Sequence, residues 1–280
     1  MTPGGGTRVA AVLGDPVRHS LSPVLLNAAF EAAGIDWTYV AFEVPAASLP
    51  DAFAGLRALG IAGASITMPH KEAAAVCADR LSPTAERLGA VNCIVNDGGV
   101  LTGHNTDGTG FVRSLGHSFS FDPRGLRCVV FGAGGSARSI VLALADADAE
   151  EIVVVNRTLG RAERAAALAG DCGEVVSIEG IGSDLGDADL VVNATSVGMG
   201  EPGPGDMPFD GSALHEGQLL VDIVYKPLET PLLLAARRSG ATAANGVAML
   251  AHQAAVQFEL WTGSPAPIEP MLAAVADRLG

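Results

Sequence analysis

Basic residues are scarce in this chain: 17 Lys and Arg stand against 31 Asp and Glu, a formal charge of −14. That balance repels phosphate backbones and excludes nucleic acid as a partner. A small anion, if bound, needs local donors that override the global field. Cysteine is thin as well, with Cys77, Cys93, Cys128 and Cys172 far apart and no C-x-x-C pair. The six histidines are scattered without ligand spacing, so reduced thiols are expected and a metal site is not. No uninterrupted apolar run approaches the roughly 18 residues of a membrane span. The N-terminus lacks a basic stretch followed by an apolar one, so no signal peptide is expected and the expected location is cytoplasmic. Internal repeats and low-complexity tracts are missing.

Hydrophobic residues make up 49% of the 280, enough for a large core in one or two domains. Apolar runs of strand length at 8–13, 38–44, 63–67, 91–95, 127–131, 151–155, 189–192 and 218–223 alternate with Ala- and Leu-rich stretches. The latter, at 24–33, 49–59, 137–145, 161–169 and 231–238, read as helices. Nearly continuous apolar strands alternating with helices predict an α/β protein with parallel sheets. The last forty or so residues are expected to lack strands and to form helices at 246–261 and 269–279 around "TGSPAP". A seam is expected near 107–124, where "GTGFVRSLGHS" reads as helix and "FSFDPRG" as a loop opening a fresh strand–helix series. The head "MTPGGGT" reads as a loose tail, and the Gly/Pro-rich 198–212 as a mobile surface loop.

The most specific local signal is "RCVVFGAGGSARSIVLALADAD". An apolar strand runs into Gly132, Ala133, Gly134, Gly135, Ser136 and Ala137, which fit G-x-G-x-x-G/A, and a helical pattern follows. Glycines let the backbone turn tightly and approach a pyrophosphate, whose charge sits on the free N–H groups at the helix start. Strand, cluster and helix together predict a Rossmann-like dinucleotide-binding unit. After the next strand an NAD site would carry an acid for the ribose 2′-OH. Here Asn156, Arg157 and Thr158 stand instead, with Arg161 one turn on. A guanidinium pairs with a 2′-phosphate that a carboxylate would repel, so NADP is favoured over NAD. "LVVNATSVGM" is another strand ending in polar residues, and Asn193, Thr195 and Ser196 are expected on the nicotinamide side.

In "VLGDPVRHSLSPVLLN", Ser20 and Ser22 stand two apart before Pro23 and a helix. Ser22 reads as an N-cap with proline in the first turn, which leaves Ser20 unexplained. "GASITMPHK" ends a strand at Thr67 and delivers Lys71. "GHNTDGTGF" brings Asn105, Thr106 and Asp107 to the start of a helix. Hydride transfer to a carbonyl needs a proton for the developing alkoxide, and a lysine beside an aspartate can supply it.

The ordered set "GDPVRHSLSP", "SITMPHK", "GAVN", "GHNTDGTGF", "FGAGGSAR", "NRT", "NATSVGM", "DIVYKPLETPLL" and "MLAHQAAVQFELWTG" resembles the shikimate dehydrogenase family over nearly the whole chain. The resemblance implies an NADPH-dependent oxidoreductase that reversibly reduces 3-dehydroshikimate to shikimate in aromatic amino acid and chorismate biosynthesis. It implies that Ser20 and Ser22 hold the substrate carboxylate, a charge that suits a helix N-terminus. Thr67, Asn92, Asp107 and Gln253 would bond the ring hydroxyls, with Lys71 and Asp107 as the catalytic pair. Tyr225 would lie beside the substrate, and Gly246 and Met249 on the cofactor side. It further implies that the C-terminal helices rejoin the first domain. A substrate domain of 1–106 with 246–280 and a mixed open sheet would then face an NADP domain of 107–245 across a cleft.

Three departures from the family pattern are present. Ser65 stands where asparagine is usual, so one substrate contact becomes shorter or water-bridged; Leu26 replaces a histidine and Cys93 a threonine. A quinate/shikimate or aminoshikimate dehydrogenase is the nearest alternative, and an NADP-binding regulatory module without turnover a remoter one. Monomer and homodimer both remain open.

Overall fold

The computed structural model describes residues 2–201, 203 and 206–279. The chain divides into two compact units, Met1–Gly110 with Ala251–Gly280, and Phe111–Leu250.

The first unit holds a six-stranded sheet of β1 (Arg8–Gly14), β2 (Trp37–Glu43), β3 (Gly63–Ile66), β4 (Arg80–Leu81), β5 (Cys93–Asp97) and β6 (Val100–His104). Its helices are α1 (Ser22–Ala32), α2 (Leu49–Ala58), α3 (Lys71–Cys77), α4 (Pro83–Leu88) and the start of α5 (Asp107–Phe119). The spatial order is β2-β1-β3-β5-β6-β4. β1 lies between β2 and β3 and is buried along its C-terminal five residues, because a central parallel strand has helices over both faces. Ala11, Leu13, Ala64 and Ile66 pack with Phe53, Leu56, Val91 and Ile94 into one core.

This sheet is mixed, as the family resemblance implied and strand–helix alternation alone did not. β5 runs antiparallel to both β3 and β6. The cause lies in "NDGGV": Gly98 and Gly99 both have positive φ, at 58° and 94°, and close a two-residue hairpin between Asp97 and Val100. Positive φ at both loop positions is the turn that matches strand twist.

The second unit is a parallel sheet of β7 (Arg127–Phe131), β8 (Glu151–Val155), β9 (Gly173–Val176), β10 (Leu190–Asn193), β11 (Leu219–Asp222) and β12 (Thr242–Ala244). Its helices are α6 (Gly135–Asp146), α7 (Leu159–Ala166), α8 (Gly182–Gly186) and α9 (Pro231–Arg238). The spatial order β12-β11-β10-β7-β8-β9 is the doubly wound 3-2-1-4-5-6 arrangement read from its far edge. Alternate residues of β7 feed opposite cores. Cys128 and Val130 pack with Ile140 and Leu144, while Val129 and Phe131 meet Leu232, Leu233 and Phe209. The stacked rings of Phe131 and Phe209 lie 4.3 Å apart.

The chain closes with α10 (Val247–Thr262) and α11 (Ile268–Leu279). The expectation of no strand after residue 240 fails at β12, a three-residue strand held by pairing with β11. Its "TAA" is too short and too bland to announce itself, and only the partner strand makes it regular. β4, β6 and β9, absent from the sequence reading, are likewise short or only half-buried: β4 and β9 are edge strands, and β6 is held between β5 and β4. Within 198–212, residues 202, 204 and 205 lie outside the described residues, as does Met1 of the head. Among the described residues no helix is long and apolar enough to cross a membrane.

Candidate active site

In the first unit, two strand ends deliver the reactive side chains. β3 leaves the sheet through Thr67, Met68 and Pro69 into α3, whose first residue is Lys71. β6 leaves through Asn105 and Thr106 into α5, whose first residue is Asp107. The Lys71 Nζ donates to Asp107 Oδ2 at 2.5 Å, and Asn92 Nδ2 donates to Asp107 Oδ1 at 2.6 Å. Both carboxylate oxygens are therefore engaged, and Asp107 is buried while the Lys71 side chain keeps 22% of its surface exposed. Asn92 is buried and aimed by its neighbours: its Oδ1 accepts from the Thr106 N–H at 2.8 Å, and its second amide hydrogen goes to Thr106 Oγ1 at 3.0 Å. The lysine backbone is fixed too, since its carbonyl accepts from Val91 N and the buried His70 ring meets the Val44 carbonyl at 2.7 Å. A lysine held by a buried acid, with one face open, has the geometry that proton donation requires.

The serines at the start of α1 correct one expectation. Leu21, not Ser22, is the N-cap, and no side chain caps it. Leu21 already has helical angles and accepts from Leu25 N, so Ser22 lies inside the first turn. Ser20 does the capping work instead, its Oγ accepting from the Ser22 N–H at 3.2 Å. Ser22 lies buried.

Ser65 is tied into the protein. It is 6% exposed, its Oγ accepts from Tyr39 Oη at 2.5 Å, and it donates to Gln257 Oε1. Its proton and one of its two acceptor positions are thus engaged by protein groups. Gln257 in turn donates from Nε2 to Gln253 Oε1 at 2.9 Å. Tyr39 and Gln257 were not among the sequence candidates. Gln253 and Gln257 are four apart on one helix, a spacing that puts them on the same face and could have revealed the second. Thr67 is half-buried at the end of β3, its backbone N–H held by Leu13 O.

In the second unit, the glycine turn divides its work. Gly132 has φ +115°, and a Cβ there would lie 2.8 Å from Ala194 O, so only glycine fits. Gly134, the N-cap of α6, and Gly135, its first residue, are exposed with nothing within 4 Å of a notional Cβ. Ala133 and Ser136 are half-buried and Ala137 is buried under the helix. Open backbone at the start of a 12-residue helix with no acid in its first turn is a receptor for a diphosphate.

Past β8, Asn156 Nδ2 donates to Thr158 O at 3.0 Å, which tightens the turn into α7. Arg157 and Arg161 are exposed there, and α7 has no acid in its first turn. Two guanidiniums at a positive helix end suit a phosphate, so this unit fits NADP. Beyond β10, Thr195 is held by Asn193 Oδ1, which accepts from its N–H and its hydroxyl. Asn193 donates to the buried Asp222 at 2.9 Å, and Thr230 donates to the same carboxylate at 2.7 Å. Burial pushes the Asp222 carboxyl up while these donors pull it back. Asp222 was also missed, since one acid at a strand end carries no pattern. Tyr225 is half-buried, and burial raises its phenol. Gly246 lies so close to Ile223 that a Cβ would be 2.0 Å from its carbonyl oxygen. Met249, 8% exposed, joins the core of this unit.

A doubly wound sheet with an open glycine cradle, in a chain that also carries a part-buried Lys–Asp pair, defines a dinucleotide-dependent oxidoreductase. Comparison with known proteins makes the class narrower. Residues 12–94 match the family model for the shikimate dehydrogenase substrate binding domain. Residues 117–200 match that for shikimate/quinate 5-dehydrogenase, and 246–276 that for the shikimate 5′-dehydrogenase C-terminal domain. A shikimate dehydrogenase (NADP+) of Methanopyrus kandleri is 45% identical, covering 98% of this chain and 96% of its own length. One from Moorella thermoacetica is 46% identical over 98% and 94%. Among solved structures, shikimate 5-dehydrogenase of Thermus thermophilus, with NADP(H) and shikimate, superposes with a TM-score of 0.89 at 37% identity, covering 98% of this chain and all of its own. Quinate dehydrogenase of Corynebacterium glutamicum, with NAD, reaches 0.88 at 32% identity, covering 97% and 99%. The chain belongs to the shikimate dehydrogenase family.

Proposed function

We propose that this protein carries out the NADPH-dependent, reversible reduction of 3-dehydroshikimate to shikimate in the cytoplasm, on the route to chorismate and the aromatic amino acids. The observation that carries the reading is the Lys71–Asp107 pair at 2.5 Å, buttressed by Asn92 at 2.6 Å. The unit of Met1–Gly110 with Ala251–Gly280 takes the substrate and that of Phe111–Leu250 the cofactor. When bound, NADPH supplies the hydride.

The residues of this chain do the rest. Lys71 Nζ donates a proton to the ketone oxygen as negative charge develops there, and Asp107 keeps the ammonium aimed and accepts from a ring hydroxyl. Asn92, with its amide already given to Asp107 and Thr106, acts by fixing that carboxylate. Thr67 and Gln253 bond the hydroxyls. Ser20 and Ser22, at the positive end of α1, receive the substrate carboxylate without adding a charge. Gly134 and Gly135 present the diphosphate with open backbone, and Arg157 and Arg161 pair with the 2′-phosphate.

Following reduced-nicotinamide absorbance with shikimate and quinate, each paired with NADP and NAD, tests the assignment. Shikimate with NADP should give the highest kcat/KM; quinate with NAD in first place would make the protein a quinate dehydrogenase instead. The cofactor reading has its own test. A lost charge-assisted contact is worth about 1.5–3 kcal/mol, so Arg157→Ala should raise the KM for NADPH roughly 10- to 150-fold. NADH kinetics should stay unchanged. Equal losses with both cofactors would remove Arg157 from recognition of the 2′-phosphate.

A further inference from the structure

A glutamine side chain can meet a ligand with either end, and in this protein a run of buried side chains decides which end Gln253 offers. Tyr39 is 2% exposed, and burial holds its phenol above the usual range, so it stays protonated. Its O–H donates to Ser65 Oγ at 2.5 Å. The Ser65 O–H in turn donates to Gln257 Oε1. With its oxygen on that side, Gln257 turns Nε2 the other way, where it donates to Gln253 Oε1 at 2.9 Å and to Thr106 Oγ1 at 3.2 Å. Gln257 is 1% exposed and cannot exchange these partners for water. The Gln253 oxygen is thereby committed to Gln257, and its Nε2 is the opposite end.

We propose that Tyr39, Ser65 and Gln257 form a positioning relay that presents the Gln253 amide to the substrate as a hydrogen-bond donor. The proposal rests on the reading of Gln253 as a ring-hydroxyl contact. The direction matters because a hydroxyl has one proton. Asp107, a carboxylate acceptor, engages that proton in a hydrogen bond. A second partner on the same hydroxyl must then donate, and a Gln253 turned the wrong way would set two oxygens against one another. With its oxygen taken by Gln257, Gln253 has only its Nε2 end to offer as that donor. Serine at position 65 is what lets the relay run: it is small enough to sit between the phenol and Gln257 and both accepts and donates. Position 65 thus acts on the substrate through Gln257 and Gln253.

A double-mutant cycle tests this, with shikimate KM, kcat and NADP Kd as readouts. A neutral hydrogen bond is worth about 0.5–1.5 kcal/mol, so Gln257→Met should raise the shikimate KM roughly 2- to 12-fold. kcat should hold within about twofold of wild type, since proton donation is left to Lys71, and the NADP Kd should not move. Tyr39→Phe, which removes one hydroxyl and keeps the ring, should act in the same direction and more weakly. It serves as the second entry into the cycle if Gln257→Met folds poorly. In a Gln253→Ala background neither substitution should raise KM further, because the relay then has nothing to aim. The same rise in both backgrounds, or a joint loss of kcat and NADP affinity, would mean that the three residues only pack, and would overturn the relay. So would an unchanged KM in Gln257→Met while Gln253→Ala raises it. An unchanged KM in Gln253→Ala alone is a separate result: it removes Gln253 from substrate binding, and the relay falls with it.

Discussion

Lys71→Met is expected to lower kcat for shikimate oxidation by about 10²–10⁴-fold, the usual worth of a positioned proton donor or acceptor, and to change KM far less. Methionine approximates the length of the lysine stem and keeps its packing, so the loss is of the ammonium alone. Asp107 retains the Asn92 donor at 2.6 Å and stays in place, though it loses its countercharge. Because the removed interaction is made with charge that exists only as the ketone reduces or the alcohol oxidises, the loss falls on the transition state rather than on ground-state binding. Lys71→Arg restores the charge beside Asp107 but not the proton transfer, as a guanidinium does not give up its proton. It should therefore recover substrate binding without recovering kcat. Steady-state kinetics on purified variants, with NADP binding measured separately to confirm an intact fold, distinguish these outcomes. An unchanged kcat in Lys71→Met would remove Lys71 from the chemistry.

Gly246→Ala has the largest expected effect on the fold. A Cβ at this position would stand 2.0 Å from Ile223 O, 2.5 Å from its carbonyl carbon and 3.0 Å from its Cα. These are backbone atoms at the end of β11, and Ile223 N is itself bonded to Asn193 O, so no side-chain rotation relieves the clash. Gly246 N also donates to Val224 O at 3.0 Å, which fixes the approach from the other side. Overpacking a core commonly costs about 1–3 kcal/mol, and a clash against rigid backbone belongs at or beyond the upper end. Urea unfolding and NADP titration should show a fall of about 3 kcal/mol or more together with weakened cofactor binding. Wild-type stability with weakened NADP binding would return Gly246 to the role of a direct cofactor contact.

The glycine turn was legible in the sequence because its chemistry is local. The strand 127–131, the cluster from Gly132 to Ala137 and the helix that follows are contiguous, and close packing of Gly132 against Ala194 makes their order part of the geometry. The hairpin at Gly98 and Gly99 was legible in principle too, since "DGG" between apolar runs is a turn signal; alternation of strands and helices along the chain outweighed it. Ser22 and Ser65 show where reading one residue at a time stops. Ser22 has the composition of an N-cap, yet Leu21 begins the helical turn. Ser65 sits at a position where the family pattern points to substrate, yet its two hydrogen bonds go to Tyr39 and Gln257, 26 and 192 residues away in the chain.

By itself the sequence determined the two α/β units, the strand–glycine–helix cradle, the arginines in place of an acid after β8, and the presence of a lysine and an aspartate at strand ends. Each of these is carried by neighbouring residues or by a periodicity that burial imposes on the chain. Only the tertiary structure decided that β5 runs against β3, that Lys71 meets Asp107 across 36 residues of chain, and which end Gln253 turns toward Gln257. Those outcomes depend on the matching of single donors to single acceptors in a buried space, where an unpaired group is costly and the partner is chosen by folding rather than by proximity along the chain.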